Sequence, residues 1–285
     1  MKKLLYMALI ITVSASLLVG CKSIDDSSTS STTKQNPTDI INSIKKNDTL
    51  AKALPDNVKK AKAIAIGVDD SYPPMEYRDD KFALIGFDVD FGNAIGKKLG
   101  IAITWTPTAW DGIIPSLKAK KFDMILSSMS INDERKKEVN FSDPYIQGGP
   151  VIVVKTGDST IKTADDLKGK IVGVQSGSTG ADAADAIVGV KEVKKYDKIT
   201  TALEDLAAGR VVAVVADDQV GRYYIGLDSS KYALASKMND EPFGIAFRKS
   251  DTVLSENVQK AINELKSEGT LSKISQKWFK TDYYK

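Results

Sequence analysis

The chain contains no histidine and only one cysteine, Cys21, in 285 residues. Without histidine, the Ser-His-Asp and Cys-His routes to an activated nucleophile are closed, and so are the usual zinc ligand sets. A single thiol builds neither an intrachain disulfide framework nor a thiolate metal cluster, so the body must stand on its packed core. An excess of one charge is also missing: the net charge is +3 with both signs interspersed, which leaves no electrostatic footprint for a nucleic acid. Nor is there a run of apolar residues long enough to span a bilayer. The one uncharged stretch, Leu4 to Gly20, is interrupted by Thr12, Ser14 and Ser16, whereas a spanning helix needs about 20 apolar residues.

What that stretch does have is the shape of a signal peptide. Lys2 and Lys3 supply a positive start, an apolar segment follows, and Leu18-Val19-Gly20 is a small-residue junction before Cys21. Residues 1–20 are therefore expected to be removed. Leu18-Val19-Gly20-Cys21 also resembles the lipobox of bacterial lipoproteins, which implies lipidation of Cys21 and a lipid anchor to the membrane. The alternative is an ordinary secretory peptide with a free thiol. Lys22 to Asn36 is rich in Ser and Thr and almost free of large apolar residues, so it cannot bury enough surface to offset its ordering entropy and reads as a flexible tether. Ile40 to Lys60 mixes apolar and charged positions around Pro55 and is expected to form short lead-in helices, so that 21–60 is anchor, tether and lead-in.

From Ala63 onward, apolar strand-like runs alternate with amphipathic helical patterns, the signature of an α/β fold with largely parallel sheets. Strands are expected at Ala63–Val68, Ile101–Trp105, Asp123–Ser127, Val151–Val154, Ile171–Val174, Val211–Val215 and near Gly244–Phe247. Between them the periodicity predicts helices: from an Asp88 cap to Leu99 with Gly100 as the stop, Asp111–Lys120, a short capped Thr163–Leu167, Thr200–Ala208 and Val220–Ile225. Thr252–Lys266 and Leu271–Phe279 close the chain.

Blocks within this body carry a family likeness covering nearly all of Ala63 to Lys285. The segment Gly67-Val68-Asp69-Asp70-Ser71-Tyr72-Pro73-Pro74-Met75-Glu76-Tyr77, followed by Gly86-Phe87-Asp88-Val89-Asp90, resembles the opening of polar amino-acid binding proteins of ABC importers, the extracellular solute-binding proteins of family 3. Trp110-Asp111-Gly112-Ile113-Ile114-Pro115, Ser127-Ser128-Met129-Ser130-Ile131-Asn132-Asp133-Glu134-Arg135, Phe141-Ser142-Asp143-Pro144-Tyr145 and Ser176-Gly177-Ser178-Thr179 follow in the family's order and spacing. Each block alone is a weak motif; the set is specific.

The resemblance implies a two-lobe periplasmic-binding-protein fold of type II, with a ligand held in the cleft between lobes and a two-strand hinge. On this chain the lobes would be 61–149 plus 243–285 and 150–242, with crossings near Gly148–Val151 and Asp240–Gly244. It also implies a monomer outside the cytoplasm that delivers a free amino acid to an ABC permease, with no cofactor and no metal.

An amino acid needs donors for its carboxylate, an acceptor for its ammonium and a selective wall. The resemblance places the carboxylate clamp at Arg135, whose fork suits bidentate binding; taken alone, Arg135 belongs to a charged run that reads as a solvated helix face. Ser128 and Ser130 follow a strand and precede a helix start near Asn132, where hydroxyls and free N–H groups can bind an anion or simply cap. Ser178 and Thr179 would approach the same carboxylate from the second lobe, or form a plain turn. Asp217 matches the ammonium acceptor. A one-residue slip would exchange it with Asp218, and the Ala208-Gly209-Arg210 lead-in favours Asp217. Tyr72 and Trp110 match two aromatic walls that favour cations, and Asp69 matches an acid reaching the ligand's distal group. The combination leans toward arginine or lysine, with glutamine, histidine and cystine as alternatives. Glu76 and Gln175 could border the distal end. An enzyme on the same fold, dehydratase-like and using a carboxyl acid, or a ligand-sensing module, are the competing classes; turnover without stoichiometric saturation would identify the enzyme.

Overall fold

A computed structural model describes residues 37–285. The expected signal peptide, Cys21 and the tether lie outside the described residues. Among the described residues no helix is long and apolar enough to cross a membrane. The lead-in forms three short helices, Pro37–Asn42, Asp48–Ala53 and Asp56–Ala61. Asn47 caps the second by accepting from the Thr49 and Leu50 amides, and Pro55 sets the start of the third. Leu50, Leu54 and Val58 bury themselves in the main core.

Two five-stranded sheets follow. In the first, Ala63–Val68 lies between Ala102–Pro107 and Met124–Ile125, all parallel, and Ala246–Phe247 and Asn140–Phe141 extend the edge antiparallel. The alternation in Ala63–Val68 puts Ile64, Ile66 and Val68 wholly in the interior. In the second sheet, Ile171–Gln175 lies between Glu192–Tyr196 and Ala213–Asp217, again parallel. Pro150–Lys155 and Tyr232–Lys237 complete it antiparallel.

The chain crosses between the sheets twice, and the crossings pair with each other: Ile146–Gly148 runs antiparallel to Glu241–Phe243. Gly149 follows with φ of +121°, where a side chain would meet the Asn239 carbonyl, a conformation that suits glycine alone. The C-terminal helices Thr252–Ser267 and Thr270–Phe279 return to pack on Phe87–Leu99. Lys98, buried in that junction, donates to Glu268 at 2.6 Å.

Several expected elements change in detail. Gly86, not Asp88, is the residue before the helix Phe87–Leu99, and Asp88 is fully buried in its first turn, accepting from the Ser128 amide and the Tyr145 hydroxyl. The reason is tertiary: two donors from other segments hold the carboxylate, so it does not fold back on its own helix. The predicted helix Asp111–Lys120 splits into a 3₁₀ turn, Trp110–Gly112, and an α-helix, Ile113–Lys118. The strand expected at Asp123–Ser127 is shortened to Met124–Ile125, and that at Val211–Val215 moves to Ala213–Asp217. Gly100, by contrast, closes its helix in the left-handed region as expected.

Candidate functional site

The C-terminal ends of the parallel strands in both sheets converge on one cleft. Asp69 follows Ala63–Val68, Ser127 and Ser128 follow Met124–Ile125, Gln175 ends Ile171–Gln175 and Asp217 ends Ala213–Asp217; all line the same space. In open parallel α/β sheets this end is where ligands bind. The side chains that line the cleft nearly fill it. All nine residues singled out in the sequence, Asp69, Tyr72, Trp110, Ser128, Ser130, Arg135, Ser178, Thr179 and Asp217, line it, together with Glu76, Ser127 and Gln175.

Arg135 sits in the first turn of the helix Asp133–Glu138, which Asn132 starts by accepting from the Arg135 amide. That cap turns the guanidinium inward, away from the solvated face that its neighbours Lys136 and Lys137 occupy. Its Nη1 donates to the Ser130 carbonyl at 3.1 Å and its Nη2 to the Gly177 carbonyl at 3.3 Å. Trp110 stacks 5.2 Å from the guanidinium carbon and donates its indole N–H to the same Gly177 carbonyl. Among the described residues Arg135 makes no ion pair, so its charge faces only carbonyls and the cleft. Burial lowers its pKa, with Asp217 acting in the opposite direction, yet a guanidinium stays protonated.

Asp217 precedes the helix Asp218–Leu227 but makes no capping bond. Its Oδ2 accepts from the Tyr72 hydroxyl at 2.7 Å across the cleft. Burial pushes its pKa up to about 7. Asp218 points away, held by Arg222 at 2.8 Å. Asp69 is buried too, and burial raises its pKa. Its Oδ1 accepts from the Ser71 amide and hydroxyl, and its Oδ2 from Gln175 Nε2 at 2.7 Å. Ser130 and Thr179 hydroxyls approach within 3.4 Å. Ser178 caps the helix Thr179–Asp185, its Oγ donating to the Gln175 carbonyl and accepting from the Ala181 amide, so its hydroxyl is already engaged.

The cleft is therefore lined by one cation, Arg135, and three buried acids, Asp69, Glu76 and Asp217, with Trp110 against the cation and Tyr72 against Asp217. Gln175 was expected from the sequence only as a border of the ligand's distal end, with no partner named. The available signal was its position, a polar residue ending the apolar run Ile171–Val174, but its contact with Asp69 spans 106 residues and only the fold supplies it.

Comparison with known proteins agrees with this geometry. A profile of the bacterial extracellular solute-binding proteins, family 3, matches residues 64–281. The L-cystine-binding protein TcyJ of Escherichia coli strain K12 is 36% identical over 234 residues, covering 81% of this chain and 88% of that one. The L-arginine-binding protein of Pseudomonas aeruginosa is 39% identical over 234 residues, covering 78% and 90%. Among solved structures, an ancestral arginine-binding protein bound to arginine superposes with a TM-score of 0.74 at 41% identity, covering 76% of this chain and 98% of that one; an ancestral arginine-binding protein bound to glutamine superposes with a TM-score of 0.74 at 41% identity, covering 77% and 99%. These relatives are binding proteins, and the two-lobe α/β architecture is theirs as well. The chain belongs to the bacterial extracellular solute-binding proteins, family 3.

Proposed function

We propose that this protein captures a polar amino acid outside the cytoplasm and delivers it to an ABC permease, with a preference for a basic side chain. The observation that carries the reading is the charge lining the cleft: the cation Arg135 together with the buried acids Asp217 and Asp69. The ligand carboxylate would meet the Arg135 fork, the Ser128–Ser130 turn and Thr179. Its ammonium would take Asp217, which already accepts a donor from Tyr72, and its side chain would run between Tyr72 and Trp110 toward Asp69. A cationic side chain neutralises the second acid, which favours arginine or lysine; relatives that bind cystine or glutamine keep those ligands in contention. In this reading 61–149 plus 243–285 and 150–242 are the two lobes that close on the ligand, the lipidated Cys21 holds a monomer at the membrane, and residues 22–36 give it reach.

Calorimetric titration with arginine, lysine, ornithine, glutamine, histidine and cystine tests the proposal. Saturable one-to-one binding of at least one, with arginine or lysine tightest, is the expected result. Failure of every amino acid to bind would overturn the function, and cystine or glutamine as the tightest ligand would overturn the preference.

A further inference from the structure

Two acidic side chains at the cleft are fully buried: Glu76, which lines it, on the strand Glu76–Arg78, and Asp88 behind it in the first turn of Phe87–Leu99. Their four oxygens divide into two satisfied and two orphaned. Glu76 Oε1 accepts from the Ser127 hydroxyl at 2.7 Å. Asp88 Oδ2 accepts from the Ser128 amide at 2.8 Å, the Tyr145 hydroxyl at 2.9 Å and, at the limit of 3.5 Å, the Ser128 hydroxyl. Glu76 Oε2 and Asp88 Oδ1 have no N–H or O–H donor among the described residues. The ionisable groups facing this pair are the Asp69 carboxylate and the phenols of Tyr72, Tyr145 and Tyr284. No lysine or arginine is among them.

Two bare carboxylates cannot both stay charged in such a place, because burial and mutual repulsion act in the same direction. The Asp88 amide donates to the Met75 carbonyl at 2.9 Å, which brings Asp88 beside Glu76, and one proton shared between the two carboxyls removes the repulsion. We propose that Glu76 and Asp88 share a single proton, donated by Glu76 and accepted by Asp88, and that this pair is the positioning unit that sets the turn shaping the cleft. Asp88 is the acceptor because Ser128 and Tyr145 already donate to it and favour its charged form. The same burial that leaves Asp88 near 6 pushes Glu76 well above its ordinary value, since Glu76 has one donor and a charged neighbour.

The pair reaches the cleft through two serines. Ser127 Oγ, which donates to Glu76, accepts the Asp69 amide at 3.0 Å, so the acidic wall is hung from it. Ser128 adopts a left-handed φ of +47°, unfavourable for a residue with a side chain, and Asp88 holds its amide there. That bend aims Ser130, whose carbonyl receives Arg135.

The test is Glu76→Gln, whose amide can donate to Asp88 while its carbonyl accepts from Ser127. At neutral pH the wild-type protein should show, in its difference spectrum against Glu76→Gln, the infrared C=O stretch of a protonated carboxyl. Glu76→Gln should lose it and bind the preferred amino acid at least about tenfold more tightly than Glu76→Ala, which leaves Asp88 Oδ1 without a donor. Absence of the band in wild type, its survival in Glu76→Gln, or loss of affinity in Glu76→Gln as large as in Glu76→Ala would overturn the proposal. The titrations rest on the binding function proposed above, whereas the band does not: if no amino acid binds, that function fails and the spectrum still decides the pair.

Discussion

At the scale of single residues, Arg135 and Asp217 are the pair on which the proposed capture would depend, and their environments predict different behaviours. Arg135→Ala removes the one cation that lines the cleft among the described residues and should cost about 3 kcal/mol of binding, roughly a hundredfold in Kd; titration within a few-fold of wild type would refute its role as clamp. Asp217 titrates near 7 because it is buried, and a ligand ammonium favours its ionised form. Affinity should therefore weaken as pH falls below about 7, and Asp217→Asn should bind weakly at all pH values and lose that slope. Trp110→Ala should narrow the difference between arginine and uncharged ligands by about 1 kcal/mol, through loss of a cation-binding face, and equal weakening of every ligand would contradict this. Arg135 and Asp217 were legible in the sequence because their neighbours form spaced motifs. Gln175 and the Glu76–Asp88 pair were not: their partners are brought together by folding across tens of residues, and a carboxylate that looks like a helix cap gives no local sign that another strand will claim it.

At the scale of elements, the apolar, buried strands were readable and the outer ones were not. Glu192–Tyr196 and Tyr232–Lys237 are the edges of the second sheet, only partly buried and carrying lysines, a composition that protects an edge and hides the strand from a hydrophobicity pattern. Three-residue and two-residue strands such as Glu76–Arg78 and Leu84–Ile85 fall below any periodic signal. One contact between elements matters beyond the cleft: Tyr77, beside the first sheet, meets Tyr223 of the helix Asp218–Leu227 with ring centroids 5.8 Å apart, and Trp278 edge-on at 6.2 Å. Tyr223→Ala removes an aromatic contact worth about 0.5–1.5 kcal/mol between groups packed on different sheets. All amino acids should lose affinity by the same factor, seen as a faster dissociation rate in stopped-flow measurements; a changed order of preference would show that the contact reaches the ligand.

At the scale of the whole molecule, buried acids link folding to pH. Asp217 near 7 and Asp88 near 6 both lie above their unfolded values, so between about pH 4 and 7 the folded state binds more protons than the unfolded chain. Their contribution to stability is thus fully present below about pH 4 and is lost as pH rises through 6 and 7. Melting temperature without added amino acid should fall over that rise relative to Asp217→Asn, while the increase produced by the preferred amino acid should grow; a ligand-induced increase independent of pH would separate Asp217 from binding. The second sheet has a further property. Its chain enters after Gly148 and leaves at Glu241, and those two residues are paired neighbours, so about ninety consecutive residues begin and end at one spot. In the currency of protein engineering and of gene rearrangement, that half is a cassette: a counterpart from a relative, with its own complement of Gln175, Thr179 and Asp217, can be spliced in at two adjacent points while the helices that brace the other half stay untouched.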